Sequence, residues 1–273
     1  MFNVDKEKCI GCGQCVKDCP VRTISLVEGK AEINNDRCIK CGHCIAICPV
    51  NAVSTDDYDM NEVKPYDKES FTVEADNFLN FIKFRRSVRR FKKQDVSKED
   101  IKKIIEAGRY TQTGSNSQDV SYIVLTEKVE EFKKLAYESL KNRGEYILAN
   151  LTPETEYLKK YAEFWIRMYN EHEQDPVAND ELFFNAPCAI FVVAKSPLNG
   201  GLASANMANM TEVLGLGTFF SGFTTIAVQN DPKLAEFIGL EDSKNLISCI
   251  VLGHPDVKYK RTTPRKKADI NWI

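Results

Sequence analysis

Four stretches of the chain carry the alternating or continuous apolar pattern that is typical of β-strands. Thr23–Asn34 reads T-I-S-L-V-E-G-K-A-E-I-N and predicts a hairpin with Gly29 at its turn. Ser121–Thr126 and Leu246–Leu252 each predict a single strand. Cys188–Ala194 is apolar without interruption, and this pattern favours a central strand that is covered on both faces.

Between these stretches, apolar residues recur with the spacing of amphipathic helices. Ser97 opens the pattern S-K-E-D and predicts a helix N-cap, and Asp231 followed by Pro232 predicts another helix start. The predicted helices are Glu74–Phe84, Ser97–Tyr110, Val129–Lys141, Pro153–His172, Leu198–Leu214 and Asp231–Ile238. Because helices and strands are mixed throughout, the predicted fold class is α+β, a sandwich built around one sheet.

Near the start of the chain the pattern C-x-x-C-x-x-C-x-x-x-C-P occurs twice. Three thiolates at this spacing can wrap one loop around a cuboidal cluster, and in the bacterial pattern the fourth cysteine ligates the other cluster. The predicted ligands of the first [4Fe–4S] cluster are Cys9, Cys12, Cys15 and Cys48. Those of the second cluster are Cys38, Cys41, Cys44 and Cys19.

Zinc and disulfides are the alternatives for these cysteines. Zinc sites generally use two C-x-x-C pairs or combine cysteine with histidine, rather than triplets followed by C-P. Disulfide frameworks belong to small secreted domains, and no secretory signal precedes the cysteines. Both alternatives are therefore disfavoured. Residues 1–55 resemble the bacterial two-cluster ferredoxins, and this resemblance implies a ferredoxin-like domain that transfers single electrons at low potential.

The length of 273 residues leaves room for a second domain after the cysteine-rich segment. Residues 56–73 are acidic and polar and predict a linker, so the predicted domains are residues 1–55 and 74–273. The formal net charge of −2 indicates neither nucleic acid nor a membrane surface as a partner. No apolar run approaches the ~20 residues that span a bilayer. We therefore expect a cytoplasmic protein, in which Cys188 and Cys249 are buried core thiols.

Most residues between Lys83 and Lys93 are basic. A nucleic-acid site is one interpretation, but it would need stacking aromatic residues and a chain that is basic as a whole. A solvated helix end is a second interpretation. A phosphate site needs only a few cations beside a hydroxyl or amide donor, and Arg85, Arg86 and Ser87 supply this set.

Several short motifs follow one another through the rest of the chain. F-R-R-S-V-R-R-F is followed by an E-A-x-R-Y helix and by the loop T-G-S-N-S-Q. Ser204–Phe223 then reads S-A-N-M-A-N-M-T-E-V-L-G-L-G-T-F-F-S-G-F, and L-G-H-P at Leu252–Pro255 and T-P-R-K-K at Thr263–Lys267 come last. In this order the motifs resemble those of the nitroreductase family of FMN enzymes. The resemblance covers about residues 75–273 and implies a nitroreductase-like, FMN-binding α+β sandwich.

The resemblance also implies which residues bind FMN. Its phosphate is assigned to Arg85, Arg86, Ser87 and Arg89 from one end of the domain and to Arg265 and Lys266 from the other. Asn116, together with Gln118, is assigned to the ribityl or pyrimidine edge of the flavin. The family commonly has proline after that glutamine, whereas Asp119 stands here, so the path of this loop is left open.

Ser221, Gly222 and Phe223 fall where the family places a backbone N–H near N5 and O4 of the flavin. Glycine permits close approach of the backbone to a ring, and fixed amide dipoles stabilise charge that develops there. Many family members carry glutamate at the position of Ser221. No side chain is assigned as catalytic. In the family the helix corresponding to Leu198–Leu214 is central to a homodimer, so the resemblance implies a dimer.

A one-electron relay and a two-electron cofactor in one chain predict an FMN-dependent oxidoreductase that reduces a small organic acceptor. Family analogy indicates nitroaromatic or quinone-like acceptors. The expected external donor is a reduced ferredoxin, a flavodoxin or NAD(P)H. Aromatic residues are frequent in Glu145–Phe184, and in relatives the corresponding segment caps the flavin.

Two other functions are compatible with the same motifs. A specialised reductase on this scaffold would carry out reductive dehalogenation, ene reduction or flavin fragmentation. A non-enzymatic electron carrier or redox sensor would use both cofactors as stores, and it would show no acceptor turnover beyond that of free FMN. The motifs alone leave these alternatives open.

Overall fold

The computed structural model describes the whole chain, from Met1 to Ile273. It divides into two compact units. The first comprises Met1–Glu74 with the loop Thr113–Ser117, and the second comprises Ala75–Gln112 with Gln118–Ile273. None of the helices combines the length and the apolarity that crossing a bilayer requires.

Short elements form the first unit. Its strands are β1 (Phe2–Val4), β2 (Ile24–Val27), β3 (Lys30–Ile33) and β4 (Val53–Thr55). Its helices are α1 (Gln14–Asp18), α2 (His43–Ala46) and α3 (Lys68–Phe71), with 3-10 turns at Asn35–Arg37 and Met60–Glu62. Strand β1 pairs antiparallel with β4, and β2 pairs with β3. The predicted hairpin is confirmed, and Gly29 at its turn has a φ of 75°, which favours glycine.

A small apolar core holds the first unit together. Phe2, Ile24, Ala31 and Val53 are buried in one cluster, and several of the cysteines pack against it. Because β1 and β4 are the first and last strands of the unit, their pairing closes the segment on itself, with Phe2 opposite Thr55.

A single four-stranded sheet organises the second unit. Its strands are β5 (Ser121–Leu125), β6 (Cys188–Val193), β7 (Gly217–Phe220) and β8 (Leu246–Gly253). They lie in the order β5-β6-β8-β7, and every neighbouring pair is antiparallel. Strand β6 is an inner strand and almost wholly buried, so the prediction of a central strand from its continuous apolar run is confirmed.

Seven helices accompany this sheet. They are α4 (Ala75–Phe84), α5 (Lys98–Arg109), α6 (Val129–Ala149), α7 (Lys159–Gln174), α8 (Pro197–Val213), α9 (Gly222–Asn230) and α10 (Pro232–Phe237). Both predicted caps are confirmed. The Ser97 hydroxyl accepts the Asp100 N–H at 3.0 Å, and the Asp231 carboxylate accepts the Lys233 N–H at 3.0 Å.

Helices cover both faces of the sheet, and each face has its own core. Successive residues of a strand point to opposite faces. Phe191 of β6 therefore packs in one cluster with Phe132 of α6. Its neighbour Ile190 packs in the other cluster with Ile104 of α5 and Met207 of α8. This arrangement is the α+β sandwich that the sequence predicts.

Two elements of the second unit were not predicted. Strand β7 and helix α9 lie between the predicted helices Leu198–Leu214 and Asp231–Ile238, where the sequence pattern predicts no element. The glycines of G-L-G disfavour a strand, and β7 is only four residues long. Helix α6 also continues to Ala149, beyond its predicted end at Lys141.

Cys188 and Cys249 are buried in the sheet, as predicted. Burial raises the pKa of the Cys188 thiol to about 12, and it raises the pKa of the Cys249 thiol as well. Both therefore behave as small apolar core residues.

Candidate functional site

The cysteines of the first unit line two separate cavities. One cavity is lined by Cys9, Cys12, Cys15 and Cys48. The other is lined by Cys19, Cys38, Cys41 and Cys44. The structure thus brings together the same two sets of four that the repeated motif assigns. The thiols line these cavities. No three of them lie close enough together to hold a single metal ion.

The donor set of the second cavity fits an iron–sulfur cluster. Burial, together with the neighbouring Cys38 and Cys41, raises the pKa of the Cys44 thiol to about 11. The free thiol is therefore protonated at neutral pH, and binding of a cluster would release this proton. What fits the cluster is the set of four thiols that line the cavity.

Backbone amides point at sulfur atoms in both cavities. The N–H of Ala31 donates to Cys9 Sγ at 3.4 Å, and the N–H of Ala52 donates to Cys48 Sγ at 3.2 Å. In the other cavity, the N–H of Lys40 donates to Cys38 Sγ at 3.4 Å. Hydrogen bonds of this kind orient metal ligands and adjust the potential of a cluster.

The basic segment Lys83–Lys93 runs along one end of the sheet in the second unit. The Val88 N–H donates to the Thr218 carbonyl at 2.8 Å, and the Lys92 N–H donates to the His254 carbonyl at 2.8 Å. Val88 and Phe91 are buried, whereas Ser87 and the basic residues between these anchors are exposed. After α4 ends at Phe84, the segment is thus an extended chain that is fixed to β7 and to the end of β8.

Arg86 has an unusual environment. Its two terminal nitrogens donate to the carbonyls of Arg85 and Lys83, each at 2.6 Å. Its Nε is buried and has no acceptor. A buried donor of a cationic side chain that lacks an acceptor fits a site where an anionic ligand supplies that acceptor. Arg89 lies nearby in the sequence, with its guanidinium 5.3 Å from the centre of the Phe219 ring.

Helix α9 begins at Gly222, and its first turn offers unpaired amides. Ser221 does not take part, because its N–H donates to the Cys249 carbonyl at 2.9 Å and its hydroxyl donates to the Leu182 carbonyl at 3.2 Å. No side chain caps the helix. The N–H groups of Gly222 and Phe223 therefore have no intrahelical acceptor and can hold negative charge.

Phe223 is held in place by aromatic residues of α7. The centre of its ring lies 5.6 Å from that of Phe164 and 5.8 Å from that of Trp165. Of the aromatic residues frequent in Glu145–Phe184, these two contact the start of α9. Tyr146 and Tyr157 are exposed.

Behind the start of α9 lies a buried ion pair that the sequence did not reveal. Lys133 Nζ lies 2.8 Å from Asp180 Oδ2, and both side chains are wholly buried. The Asp180 carboxylate also accepts the N–H groups of Leu182, Phe183 and Asn185. Because the Leu182 carbonyl accepts the Ser221 hydroxyl, this pair fixes the loop against which α9 begins.

Tyr137 and His172 extend this buried cluster. The Tyr137 hydroxyl accepts the Glu181 N–H at 2.8 Å, and its ring stacks on the His172 imidazole with 3.9 Å between the ring centres. Neither imidazole nitrogen has a hydrogen-bond partner. Burial lowers the pKa of His172, although the Asp180 carboxylate acts in the opposite direction. The imidazole is therefore neutral at physiological pH.

The C-terminal tail contacts the basic segment at Asp256, whose N–H donates to the Arg90 carbonyl at 2.8 Å, and at Tyr259. The Tyr259 hydroxyl donates to the Ser87 carbonyl at 3.4 Å. Arg265 and Lys266 are exposed, and the Arg265 guanidinium donates to Thr263 and Pro264 within the tail itself. The assignment of these two cations to the flavin phosphate stays a prediction.

The loop that carries Asn116 groups with the first unit, which no sequence pattern indicated. The Asn116 side-chain amide donates to the carbonyls of Ile39 and Lys40, each at 3.0 Å. Gln118 is exposed, with a left-handed φ of 47°. Their contacts with the flavin stay predictions.

Asp119, where the family commonly has proline, has a structural role. Its carboxylate accepts the Ser196 N–H at 3.1 Å and the Asn199 side-chain amide at 2.7 Å. It thereby binds both the N-cap and the first turn of α8. Asp119, at which the motif departs from that of the family, is thus fixed to this helix.

The fold and these sites define a chain with an iron–sulfur unit followed by an α+β sandwich. Residues 82–254, more than half of the chain, match the model of the nitroreductase family. Residues 1–49 match the model of the 4Fe-4S dicluster domain. The chain therefore belongs to the nitroreductase family and carries an N-terminal domain for two [4Fe–4S] clusters, which confirms the fusion that the sequence predicts.

Relatives and solved structures agree with this assignment. NADPH-dependent oxidoreductases of Staphylococcus aureus strains MRSA252 and N315 are 27% identical over 182 and 183 residues. Each alignment covers 66% of this chain and 66% of the relative, so the chain spans just under two thirds of these relatives' length.

Among solved structures, a BluB-like flavoprotein of Clostridium difficile 630 is similar with a TM-score of 0.52 and 22% identity, over 70% of this chain and 94% of its own. A nitroreductase with bound FMN from Bacteroides fragilis has a TM-score of 0.51 and 19% identity, over 71% and 98%. These similarities show the fold.

Proposed function

We propose that the chain is an FMN-dependent oxidoreductase that receives electrons through two [4Fe–4S] clusters and reduces a small organic acceptor bound over the flavin. Membership of the nitroreductase family supports the class of enzyme. The dicluster domain supports a supply of single electrons. Nitroaromatic or quinone-like acceptors are the candidates, by analogy with the family.

Two features of the second unit fit FMN, which is bound in solved nitroreductases of this fold. The orphaned Nε of Arg86 needs an acceptor, and a phosphate oxygen is one that suits a guanidinium. The free amides at Gly222 and Phe223 suit the edge of a flavin ring that takes up negative charge. The residues that would hold the cofactor are Arg85, Arg86, Ser87, Arg89, Gly222, Arg265 and Lys266.

When bound, FMN supplies a centre that takes electrons singly and delivers them as a pair. The chain contributes binding and orientation. Phe164 and Trp165 fix Phe223 and with it the first turn of α9. The Lys133–Asp180 pair fixes the loop that holds Ser221. Both supports keep the α9 amides in place, so little reorganisation is needed when charge develops.

The donor and the assembly form part of the same proposal. Relatives named NADPH-dependent oxidoreductases support NADPH as a donor, while a reduced ferredoxin or flavodoxin would deliver electrons to the clusters. We place the protein in the cytoplasm. The exposed apolar residues Phe78, Leu79 and Ile82 of α4 support a homodimer, because such faces are usually covered by a partner.

One observation carries the proposal. The eight motif cysteines divide four and four between two cavities, in a chain whose other unit has the nitroreductase fold. A simple flavin reductase that takes electrons directly from NADPH has no use for two cluster sites. The clusters therefore support a relay for single electrons.

The test compares ferredoxin-driven turnover in anaerobically purified wild type and in a variant that lacks a cluster ligand. We expect wild type to reduce a nitroaromatic acceptor with reduced ferredoxin well above the rate of free FMN. In Cys41→Ser, which removes a ligand of one cluster, ferredoxin-driven turnover should fall at least tenfold while FMN content is kept. Cys188→Ala removes a buried thiol outside the cavities and is the matched control.

Equal ferredoxin-driven turnover in wild type and Cys41→Ser would contradict the relay. Turnover no greater than that of free FMN with any donor would support an electron carrier or sensor instead. Both readings require that the variant retains FMN, which its absorbance reports.

A further inference from the structure

The side chain of Asn116 contacts the second cysteine motif. The repeated cysteine pattern does not predict this contact. The Asn116 side-chain amide lies 3.0 Å from the carbonyl of Ile39 and 3.0 Å from that of Lys40. These two residues are the ones between the ligands Cys38 and Cys41. The contact thus spans 77 positions in the chain and ends on the peptide groups of a cluster-binding turn.

The turn between these cysteines is strained. Lys40 has a φ of 55°, a left-handed conformation that costs a residue with a Cβ about 1–2 kcal/mol. In this conformation its N–H donates to Cys38 Sγ at 3.4 Å. Asn116 itself has a φ of 55°, and Ser115 has a φ of 51°. Strain of this kind persists where surrounding contacts hold it.

The equivalent left-handed turn of the first cysteine motif is held in a different way. Gly11 occupies the position equivalent to Lys40 and has a φ of 66°, which glycine adopts without strain. The hairpin turn lies directly on it, because a Cβ at Gly11 would overlap the carbonyl oxygen of Gly29. The turn between Cys9 and Cys12 therefore uses a glycine that the hairpin covers. The turn between Cys38 and Cys41 uses a strained lysine, and Asn116 holds this turn in place.

We propose that Asn116 is a positioning residue for the cluster bound by Cys19, Cys38, Cys41 and Cys44. By fixing the carbonyls of Ile39 and Lys40, it holds the Lys40 N–H on Cys38 Sγ and so raises the reduction potential of that cluster. Hydrogen bonds to ligand sulfur stabilise the extra negative charge of the reduced state. This inference rests on the clusters of the proposed function and not on its flavin or its acceptor.

The test is an anaerobic redox titration of the full-length holoprotein, followed by the electron paramagnetic resonance of the reduced clusters. Thr23→Val marks the cluster concerned, because the Thr23 hydroxyl lies 3.5 Å from Cys19 Sγ. We expect Asn116→Ala to lower the midpoint potential of the same cluster that Thr23→Val lowers, and to leave the other unchanged. Ser115→Ala, in the same loop and exposed, should shift neither.

Asn116→Gln keeps the donating amide on a longer side chain and is the second variant. It should lower the midpoint potential of the same cluster by less than Asn116→Ala does. If Asn116→Ala loses that cluster, the shift in Asn116→Gln is the test instead. A shift of the other cluster would overturn the proposal. So would unchanged potentials with loss of FMN, which would assign Asn116 to the flavin.

Discussion

The two units of this chain build their sites from different materials. In the first unit, left-handed turns and backbone amides place the cysteines around a small core. In the second unit, side chains hold the site in place. A wholly buried Lys133–Asp180 pair and stacked aromatic residues fix the start of α9. The difference indicates that the first site is most sensitive to an added Cβ atom, and the second to a lost charge.

Within the first unit the comparison can be repeated between the two motifs. Gly11 has no room for a Cβ, whereas Lys40 carries a full side chain at the equivalent position. Identical cysteine spacing therefore conceals two different ways of holding the same turn.

The largest effect is expected at Gly11. Gly11→Ala forces a Cβ against the Gly29 carbonyl and imposes a strained φ, so we expect loss of one cluster, seen as a halved iron and sulfide content. Lys40→Ala is the matched variant and should retain both clusters, because residue 40 already has a Cβ. A Gly11→Ala protein with full iron content would remove the distinction between the motifs.

The next effect tests the second unit. Asp180→Asn removes the buried counter-charge of Lys133, leaving only the exposed Glu130 as its ionic partner, and should lower the free energy of unfolding by about 3–5 kcal/mol. Glu130→Gln removes the exposed partner of the same lysine and should cost less than about 1 kcal/mol. Urea unfolding followed by circular dichroism measures both. Similar losses of unfolding free energy in the two variants would mean that the buried Asp180 contributes no more to stability than the exposed Glu130.

A smaller effect concerns the pH dependence of stability. Burial holds the pKa of His172 below the ~6.5 of an unfolded chain, so the unfolded state binds this proton first as pH falls. Wild type should therefore lose stability below about pH 6.5, by less than about 1.4 kcal/mol per pH unit from this group. His172→Phe keeps a ring against Tyr137 and cannot titrate.

The measurement for His172→Phe is the change of Tm between pH 7.5 and pH 5.5. We expect the variant to lose less than wild type over this interval. An equal loss would place the acid sensitivity in other groups.

Local patterns were sufficient to predict much of the fold. The hairpin at Gly29, the central strand β6 and the caps at Ser97 and Asp231 all depend on neighbouring residues, and all are confirmed. Strand β7 was missed because it is short and begins with Gly217, a residue type that disfavours strands. Its conformation comes from pairing with β8.

The site shows the same limit more sharply. Cysteine spacing carries its own chemistry, and the structure divides these residues as the motif assigns them. The buried partners Lys133 and Asp180 are 47 positions apart, and each alone looks like an ordinary surface charge. Asn116 was assigned by resemblance to the flavin, whereas its amide donates to the second cysteine motif. Contacts between distant residues carry no local signal.

The most direct test of the central claim is an anaerobic titration in which reduced ferredoxin is added to the oxidised holoprotein. The absorbance of the clusters and of the flavin is followed together. Electrons entering through the clusters should bleach the flavin band in wild type, and should fail to do so in Cys41→Ser at the same FMN content. A flavin that stays oxidised in wild type while both clusters are fully reduced would contradict the account.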